Sequence, residues 1–389
     1  MNIGCGLDVH KSSIFACVFK GNGEKEVQEF GTLTPELDRL RDWLVKESVG
    51  QVAMESTSIY WKPIWRILSS DFHMVLVNPY YIKQLPGRKT DVKDAEWIAT
   101  ALVKDLLKES FVPDELQSSM RKYERMLFCL SREIVRVESL LDNELQECNI
   151  RLSNYVSDVG GKSYRAVVRE LIQGEVRADV LLKKIHKRTV NKHGADTLTA
   201  ALSGFVTEVN RDMMRIYFER IQQLESHREE CRKKLEELSQ AHYGSQKELL
   251  ETIPGISAQS AGQLLAEIGC DLKTFLTAAA LVGWAGLRPR NDMSAGKIKG
   301  RRITHGNRFV RIILVQCAWA AVRTIGSRFN LKYNILIKRM PKQKALIAIA
   351  RKLLVIIWNV LKKGETYQKN EYENLHMKDK KTDKKTSNG

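Results

Sequence analysis

Two long apolar stripes constrain this chain most. Met120, Tyr123, Leu127, Leu130, Ile134, Val137 and Leu141 recur at spacings of three and four. Met214, Tyr217, Ile221, Leu224, Cys231, Leu235 and Leu238 do the same, with Arg228 on one seam position. Sustained alternation of this kind makes a helical seam that must be covered by another helix. We read the stripes as paired coiled-coil arms that can also dimerise. The competing reading buries both in one bundle. The polar stretch between them, 150–210, contains "KKIHKRTVNKHG", which reads as exposed basic surface and supports no further assignment.

The chain before the arms reads as α/β. "IGCGLDV", "SIFACVFK" and "KEVQEF" are short strand-like runs, the last two separated by the glycine-rich turn signal "GNGE". "TPELDRLRDWLVKE" has helical periodicity, with Thr34 or its neighbour as a cap. "VAMES" is a strand, "IYWKPIWRILSS" a helix and "HMVLVNP" a strand stopped by proline. "DVKDAEWIATALVKDLL" is strongly helical. Three sequential strands followed by alternating helix and strand predict a mixed sheet with helices on its faces.

Beyond the arms, "IPGISAQSAGQLLAEIG" predicts two short helices joined by a Pro254-Gly255 turn, a helix-hairpin-helix pattern. Backbone N–H groups at such a helix start hold a DNA phosphate without reading sequence. A plain helical hairpin is the other reading. "GNRFVRIILVQCAWAAVR" is a helix with basic residues such as Arg308 in its first turns, and another helix spans about 343–363. The lysine-rich end, "MKDKKTDKKTSNG", has the composition of a disordered tail. The expected division is therefore 1–118 (α/β), 119–245 (helical arms), 246–330 (mostly helical) and 331–389 (helix and basic tail).

The 389 residues carry a formal charge of +17 and a pI near 9.5. Such a field gathers polyanions, either nucleic acid or an anionic membrane. The membrane reading fails on two counts. "MNIGCGLDVHK" lacks the features of a secretory signal, and Arg351 and Lys352 interrupt the apolar run "ALIAIARKLLVIIWNVL". The 7 cysteines are scattered without a CxxC pair, which fits a reducing cytoplasm and gives no zinc signature. The expectation is a cytoplasmic, nucleoid-associated protein that handles DNA or RNA.

Acidic residues stand out against this background. Asp8 ends the first strand and Glu55 ends "VAMES". Asp91 and Asp94 lie at i and i+3 at a helix start, on one face. Strand ends in a layered sheet lie close together, and a helix start beside them completes a cluster. Four gathered carboxylates repel unless a cation offsets them, and Mg²⁺ (or Mn²⁺) prefers carboxylate and phosphate oxygens. Two such ions ~4 Å apart bind both the attacking and the leaving oxygen of a phosphodiester. Taken singly, each acid reads equally well as a turn residue, an N-cap or a dipole partner.

"GLDVHK", "MESTSIYW", "GRKTDVKDAEWIA" and the block "PGI…GWAGLRPR…SAGKIKGRRITHGNRFVR" together resemble the DEDD transposases of the insertion-sequence 110 type. The match runs in order from residue 1 to about 325, is loose across the arms and does not reach the tail. The resemblance implies a RuvC-like, ribonuclease-H-type first domain and a mostly helical serine domain. It places the acidic tetrad on Asp8, Glu55, Asp91 and Asp94, and the catalytic serine on Ser294. It further implies a homo-oligomer, dimer to tetramer, in which the serine domain of one subunit docks on the metal domain of another. A structured noncoding RNA would guide it by pairing with donor and target DNA.

On that basis Ser294 attacks a DNA phosphate and forms a covalent ester, so that strands are exchanged without ATP. A serine hydroxyl needs activation by a base or metal. His305 is close in sequence but reads as a loop residue, which leaves the tetrad's metal. Ala295 and Gly296 leave room for the phosphate. Lys297, Lys299, Arg301 and Arg302, and Arg88 and Lys89 beside Asp91, are candidates to grip the DNA backbone or stabilise the crowded phosphate. Without the resemblance, Ser294 reads as an ordinary turn serine.

Three rival functions differ in their requirements. A metal-dependent nuclease or junction resolvase would use water in place of Ser294. An actin-like or sugar-kinase ATPase is suggested by "GLDVHKSS" but needs further glycine-rich phosphate loops, which the chain lacks. A DNA-bridging protein built on the arms would bind without breaking strands.

Overall fold

The computed structural model describes residues 3–20, 23–56, 58–79, 91–289, 292–294, 297–300 and 303–368, with side chains undescribed at 91–93, 292–294 and 297–300. The chain divides into two compact units, Met1–Pro113 and Asp114–Gly389.

The first unit is a sheet between helices. Strands β1 (Gly4–Val9), β2 (Ser13–Phe19) and β3 (Lys25–Gly31) form an antiparallel meander. Helix α1 (Thr34–Lys46) then returns the chain to β4 (Gln51–Glu55), and α2 (Trp61–Leu68) to β5 (His73–Val77). β4 lies parallel to both β1 and β5, giving the order β3-β2-β1-β4-β5. Helix α3 (Asp91–Val103) completes the unit. Leu33, not Thr34, is the N-cap residue of α1, and Pro35 takes up the first turn, where a missing N–H costs nothing.

Strand alternation separates the two faces. Cys5, Leu7 and Val9 of β1, with Val52 and Met54 of β4, join Leu37, Leu40, Leu44, Ile64 and Leu68 in a core under α1 and α2. The opposite face carries Cys17, Ala53, Val75 and Val77 against Ala95, Ile98, Ala99 and Leu102 of α3. Gly4 and Gly6 lie on this second face. A Cβ on Gly6 would overlap the Ala99 amide nitrogen and the Ala95 carbonyl oxygen. The helix therefore rests directly on β1, which explains small residues on both surfaces.

The second unit is helical among its described residues, apart from one hairpin. Helices α4 (Glu115–Glu147) and α9 (Glu208–Glu251) carry the two stripes. They run antiparallel: Asn210 bonds Glu144 at 2.8 Å, while Arg220 reaches Glu133 at 2.6 Å. Their outer end is capped by a 3₁₀ turn (Leu152–Asn154) and α5 (Lys162–Ile172), α6 (Ala178–Leu182), α7 (Lys187–His193) and α8 (Ala195–Leu202). Tyr164, Val168, Leu171, Leu198 and Leu202 join Ile134–Leu145 side chains and Met214, Phe218 and Ile221 in one core. Region 150–210, unassigned from sequence, is thus mostly this cap. The basic stretch of α7 buries no residue.

The stripe on α9 drifts. Phe218 and Ser239 are buried where the three-and-four spacing expected Tyr217 and Leu238. An undistorted helix has 3.6 residues per turn, so a 3.5-residue pattern slides around it unless the helices supercoil. The backbone also leaves helical geometry at Tyr243 (φ −129°, ψ 23°).

After α9 come α10 (Ala258–Ile268), α11 (Ala278–Trp284), the hairpin β6 (Asp292–Ser294) and β7 (Lys297–Gly300), then α12 (Arg308–Arg323), α13 (Arg328–Leu336) and α14 (Lys342–Lys363). The first arm of the expected helix-hairpin-helix is therefore the end of a 44-residue helix, not a short one. Among the described residues no single helix is long and apolar enough to cross a membrane.

Candidate active site

The acids of the first unit share a level. β1 and β4 are in parallel register, with Gly6 beside Ala53 and Leu7 beside Met54. One step further along each strand stand Asp8 and Glu55. Both belong to the α3 face, since alternate residues Gly4 and Gly6 on β1 and Ala53 on β4 point there. Neighbouring strands lie about 4.8 Å apart, so the two acids are adjacent.

Helix α3 brings the third acid. Gly4 lies under Leu102 and Val103, and Gly6 under Ala95, Ile98 and Ala99. Two residues along a strand advance ~6.6 Å, which equals roughly four residues of helix. Continuing the same step from Gly6 to Asp8 reaches the first turn of α3, where Asp94 lies. The backbone of Asp91 begins this helix; its side chain is outside the described residues. Asp8 is 15% exposed and its Oδ2 lies 3.1 Å from Nε2 of His10. His10, two residues on in "GLDVHK", was not singled out from sequence, although an Asp-x-His at a strand end was its signal.

Among the described residues no three His, Cys, Asp or Glu side chains gather closely enough to hold a metal ion. The donors at this end of the sheet that the structure does describe are carboxylate oxygens and one imidazole. That chemistry suits a hard divalent cation.

Ser294 ends β6, and its backbone pairs with that of Lys297 at the start of β7. The pairing shifts register between Asp292 and Met293, a bulge that re-aims the strand. The side chains of Ser294, Lys297 and Lys299 lie outside the described residues, as do residues Arg88, Lys89, Ala295, Gly296, Arg301 and Arg302. The segments flanking the hairpin, up to 289 and from 303, are described. Pro289 bridges Ile303, the Thr304 N–H donates to the Arg288 carbonyl at 2.9 Å, and the Asn307 N–H donates to the Trp284 carbonyl at 3.0 Å. His305 is an exposed loop residue.

The hairpin base is anchored to a buried ionic cluster. Asn307 caps α12, accepting from Phe309 N–H at 2.9 Å and Val310 N–H at 3.2 Å, while its amide donates to Glu267 Oε2 at 2.7 Å. Glu267, on α10, is fully buried. Arg125 grips it through two bonds of 2.8 and 3.1 Å, and Arg121 lies 3.5 Å away. Burial opposes ionisation of Glu267, but the Arg125 hydrogen bonds and the two guanidinium charges outweigh it and hold the carboxyl below its usual range. Arg121 lies over the Trp284 ring at 5.9 Å and Arg125 over Phe309 at 4.7 Å. Both sides of the hairpin stem are thereby clamped. Sequence reading missed this cluster because nothing in the spacing of Arg121, Arg125, Glu267 and Asn307 links them.

The remaining expected contacts divide. Gly255 has φ +91°, and a Cβ there would stand 2.6 Å from the Ala321 nitrogen. Only glycine combines that backbone with so close an approach to α12. The turn packs inward, yet Ser257, Ala258 and Gln259 of the following helix start are exposed. Arg308 is exposed and stacks over Phe309 at 4.9 Å and Phe128 at 5.8 Å.

Comparison with known families resolves what this assembly belongs to. Residues 5–150 match the transposase profile of the DEDD IS110 type, and residues 247–334 match the profile described as transposase, IS116/IS110/IS902 family. The two matched segments contain all four acids and Ser294. The chain belongs to the IS110 family of transposases. It is an enzyme, a DNA transposase/recombinase. The y4pF/y4sB protein of Sinorhizobium fredii, named as a transposase, is 26% identical over 382 residues, covering 95% of this chain and 86% of that protein. The transposase for insertion sequence element IS1111A of Coxiella burnetii is 31% identical over 123 residues, 31% of this chain and 34% of its own. The pilin gene-inverting protein of Moraxella bovis is 31% identical over 208 residues, 51% of this chain and 61% of its own. The cap of helices and most of α9, 151–246 together, fall between the matched segments of this transposase.

Proposed function

We propose that this transposase cuts and rejoins DNA through a covalent Ser294–DNA intermediate, with Asp8, Glu55, Asp91 and Asp94 holding Mg²⁺ or Mn²⁺. The observation that carries the reading is the common level of Asp8, Glu55 and the first turn of α3. The strand order and the α3 packing support a RuvC-like, ribonuclease-H-type domain for 1–118. The segments 119–245 and 246–330 are assigned to the arms and the serine domain, and 331–389 to a C-terminal helix and basic tail.

In the first step Ser294 Oγ bonds to phosphorus and gives up its proton. The bond from phosphorus to one sugar oxygen breaks, and that oxygen leaves as a hydroxyl. A phosphodiester is exchanged for a phosphodiester, so rejoining needs no ATP. A bound divalent cation offsets the charge of the reacting phosphate and polarises its P–O bonds. Lys297, Lys299, Arg301 and Arg302 hold the flanking backbone, as do Arg88, Lys89, Arg308 and the helix start after Pro254-Gly255. Anchoring of the segments that flank the hairpin to the Glu267 cluster would favour orientation of the nucleophile. The protein acts as a homo-oligomer on donor and target DNA, guided by a structured noncoding RNA. A pilin gene-inverting relative supports rejoining over simple hydrolysis, since inversion requires broken ends to be sealed.

The test incubates protein, cognate RNA and element-end DNA with Mg²⁺ and resolves products under denaturing conditions. Wild type yields protein–DNA adducts. Ser294→Ala, Asp8→Asn and chelation each abolish them. Continued cutting by Ser294→Ala would replace this reading with a water-based nuclease.

A further inference from the structure

The seam between the two arms is interrupted, and the interruption is a site. Between Ile221 and Leu235 no residue of α9 is buried. Arg228 and Arg232 stand where a continuous seam would place apolar side chains. Here α4, α9, α10 and α12 together line a cavity of about 600 Å³, a size typical of small-ligand pockets.

The lining has three chemical parts. Arg132, Arg228 and Arg232 supply positive charge, and Gln259, Gln263 and Gln316 supply amides. Arg228 lies 3.8 Å from Glu225 and Arg232 3.5 Å from Glu229. Glu225 is already gripped by two Arg165 bonds of 2.7 and 2.8 Å, so Arg228 keeps donors to spare. Phe128 adds an aromatic ring beneath Arg132 and Arg308. The third part is Glu124, which also lines the cavity although only 3% exposed.

Glu124 makes this a built site. Its Oε2 is buried and accepts no hydrogen bond from a donor among the described residues, and the Glu267 carboxylate lies within hydrogen-bonding reach of a protonated Glu124. Burial, and then the charge of Glu267, push its carboxyl well above the usual range. A neutral carboxyl both donates and accepts, so with its proton directed to Glu267 it still has lone pairs with which to accept. Amides and a carboxyl are the groups that pair with base edges, guanidiniums pair with phosphate, and an aromatic ring stacks on a base face.

We propose that this cavity receives one unpaired nucleotide of the DNA substrate. Arg228 and Arg232 contact its phosphates, Arg132 on the Phe128 ring borders the base, and Gln263 and Glu124 bond the base edge. A paired base cannot enter, because its edge is occupied and it remains stacked. The inference uses the chain's membership of a DNA-transposing family and is independent of the roles given to Ser294 and the acids.

The test is fluorescence binding by the full-length protein in Mg²⁺-free buffer, where no cutting intervenes. One duplex carries a single unpaired 2-aminopurine; its control is fully paired. Wild type should prefer the first by about tenfold, with brighter emission as the base leaves the stack. Gln263→Leu and Glu124→Leu should each bring the ratio of affinities to about one. Arg228→Ala combined with Arg232→Ala should weaken both duplexes. Melting curves identify any variant that fails to fold, and Gln263→Leu, half-buried, carries the test if Glu124→Leu is unfolded. Equal wild-type affinities overturn the proposal. So does a preference that survives both substitutions, or stronger displacement of the probe by single-stranded RNA than by the DNA strand of the same sequence.

Discussion

The two units treat carboxylates in opposite ways. In the first, Asp8 is 15% exposed, faces an imidazole at 3.1 Å and shares a level with Glu55 and the start of α3. In the second, Glu267 has no exposure and is saturated by Arg125, Arg121 and Asn307, while its neighbour Glu124 is driven towards the neutral form. A buried charge must be cancelled internally, because the protein interior solvates it poorly. Asp8 keeps contact with solvent and with an imidazole, so its charge needs no such internal cancellation. The second arrangement holds a scaffold rigid, and the difference lies in burial more than in residue type.

Four substitutions would break or sharpen that contrast. Asp8→Asn should cost about 10³-fold or more in strand exchange, with no loss in melting temperature; a matching loss of stability would mean that Asp8 is structural. Glu267→Ala should destabilise the fold by about 1.5–3 kcal/mol in denaturant titration, since it removes the carboxylate partner of Arg121, 11% exposed, while Arg125, 42% exposed, can turn to water. A cost near that of a surface pair would dissolve the contrast.

Gly6→Ala should cost about 1–3 kcal/mol, measured the same way, because the added methyl forces α3 off the sheet. It should also reduce strand exchange beyond what its stability loss explains, by displacing the first turn of α3. Glu124→Gln should change the pH profile of stability. Glu124's folded pKa is raised, so its contribution is full below its unfolded value of 4.5 and is lost as pH rises through the folded pKa. The variant should flatten that decline by up to a few kcal/mol between about pH 5 and pH 8. An unchanged slope would show that Glu124 is ionised in the fold.

Much of the architecture was readable. The five strands, the D-x-x-D helix start and both arm helices follow from alternation and from three-and-four spacing, which are local properties. Pro35 and Thr34 marked the start of α1 to within a residue, and the cap itself fell to Leu33. The cap of helices at 150–205 was not readable, because each is short and its apolar side chains acquire meaning only against Ile134, Met214 and Phe218. Arg228 was visible as a flaw in a seam. That the flaw opens onto a cavity depends on α10 and α12, whose sequence lies far away.

Sequence alone determined which segments are strands and helices, where the acids fall within them, and, through its motifs, the family. Those properties are encoded within a turn or two of chain. Tertiary structure alone decided that Asp8 and Glu55 end neighbouring strands, that buried Glu267 is held by two arginines, and that Glu124 lies buried among the residues lining a cavity. Register, helix-on-sheet contact and burial each join residues tens to more than a hundred positions apart, and electrostatic character follows burial.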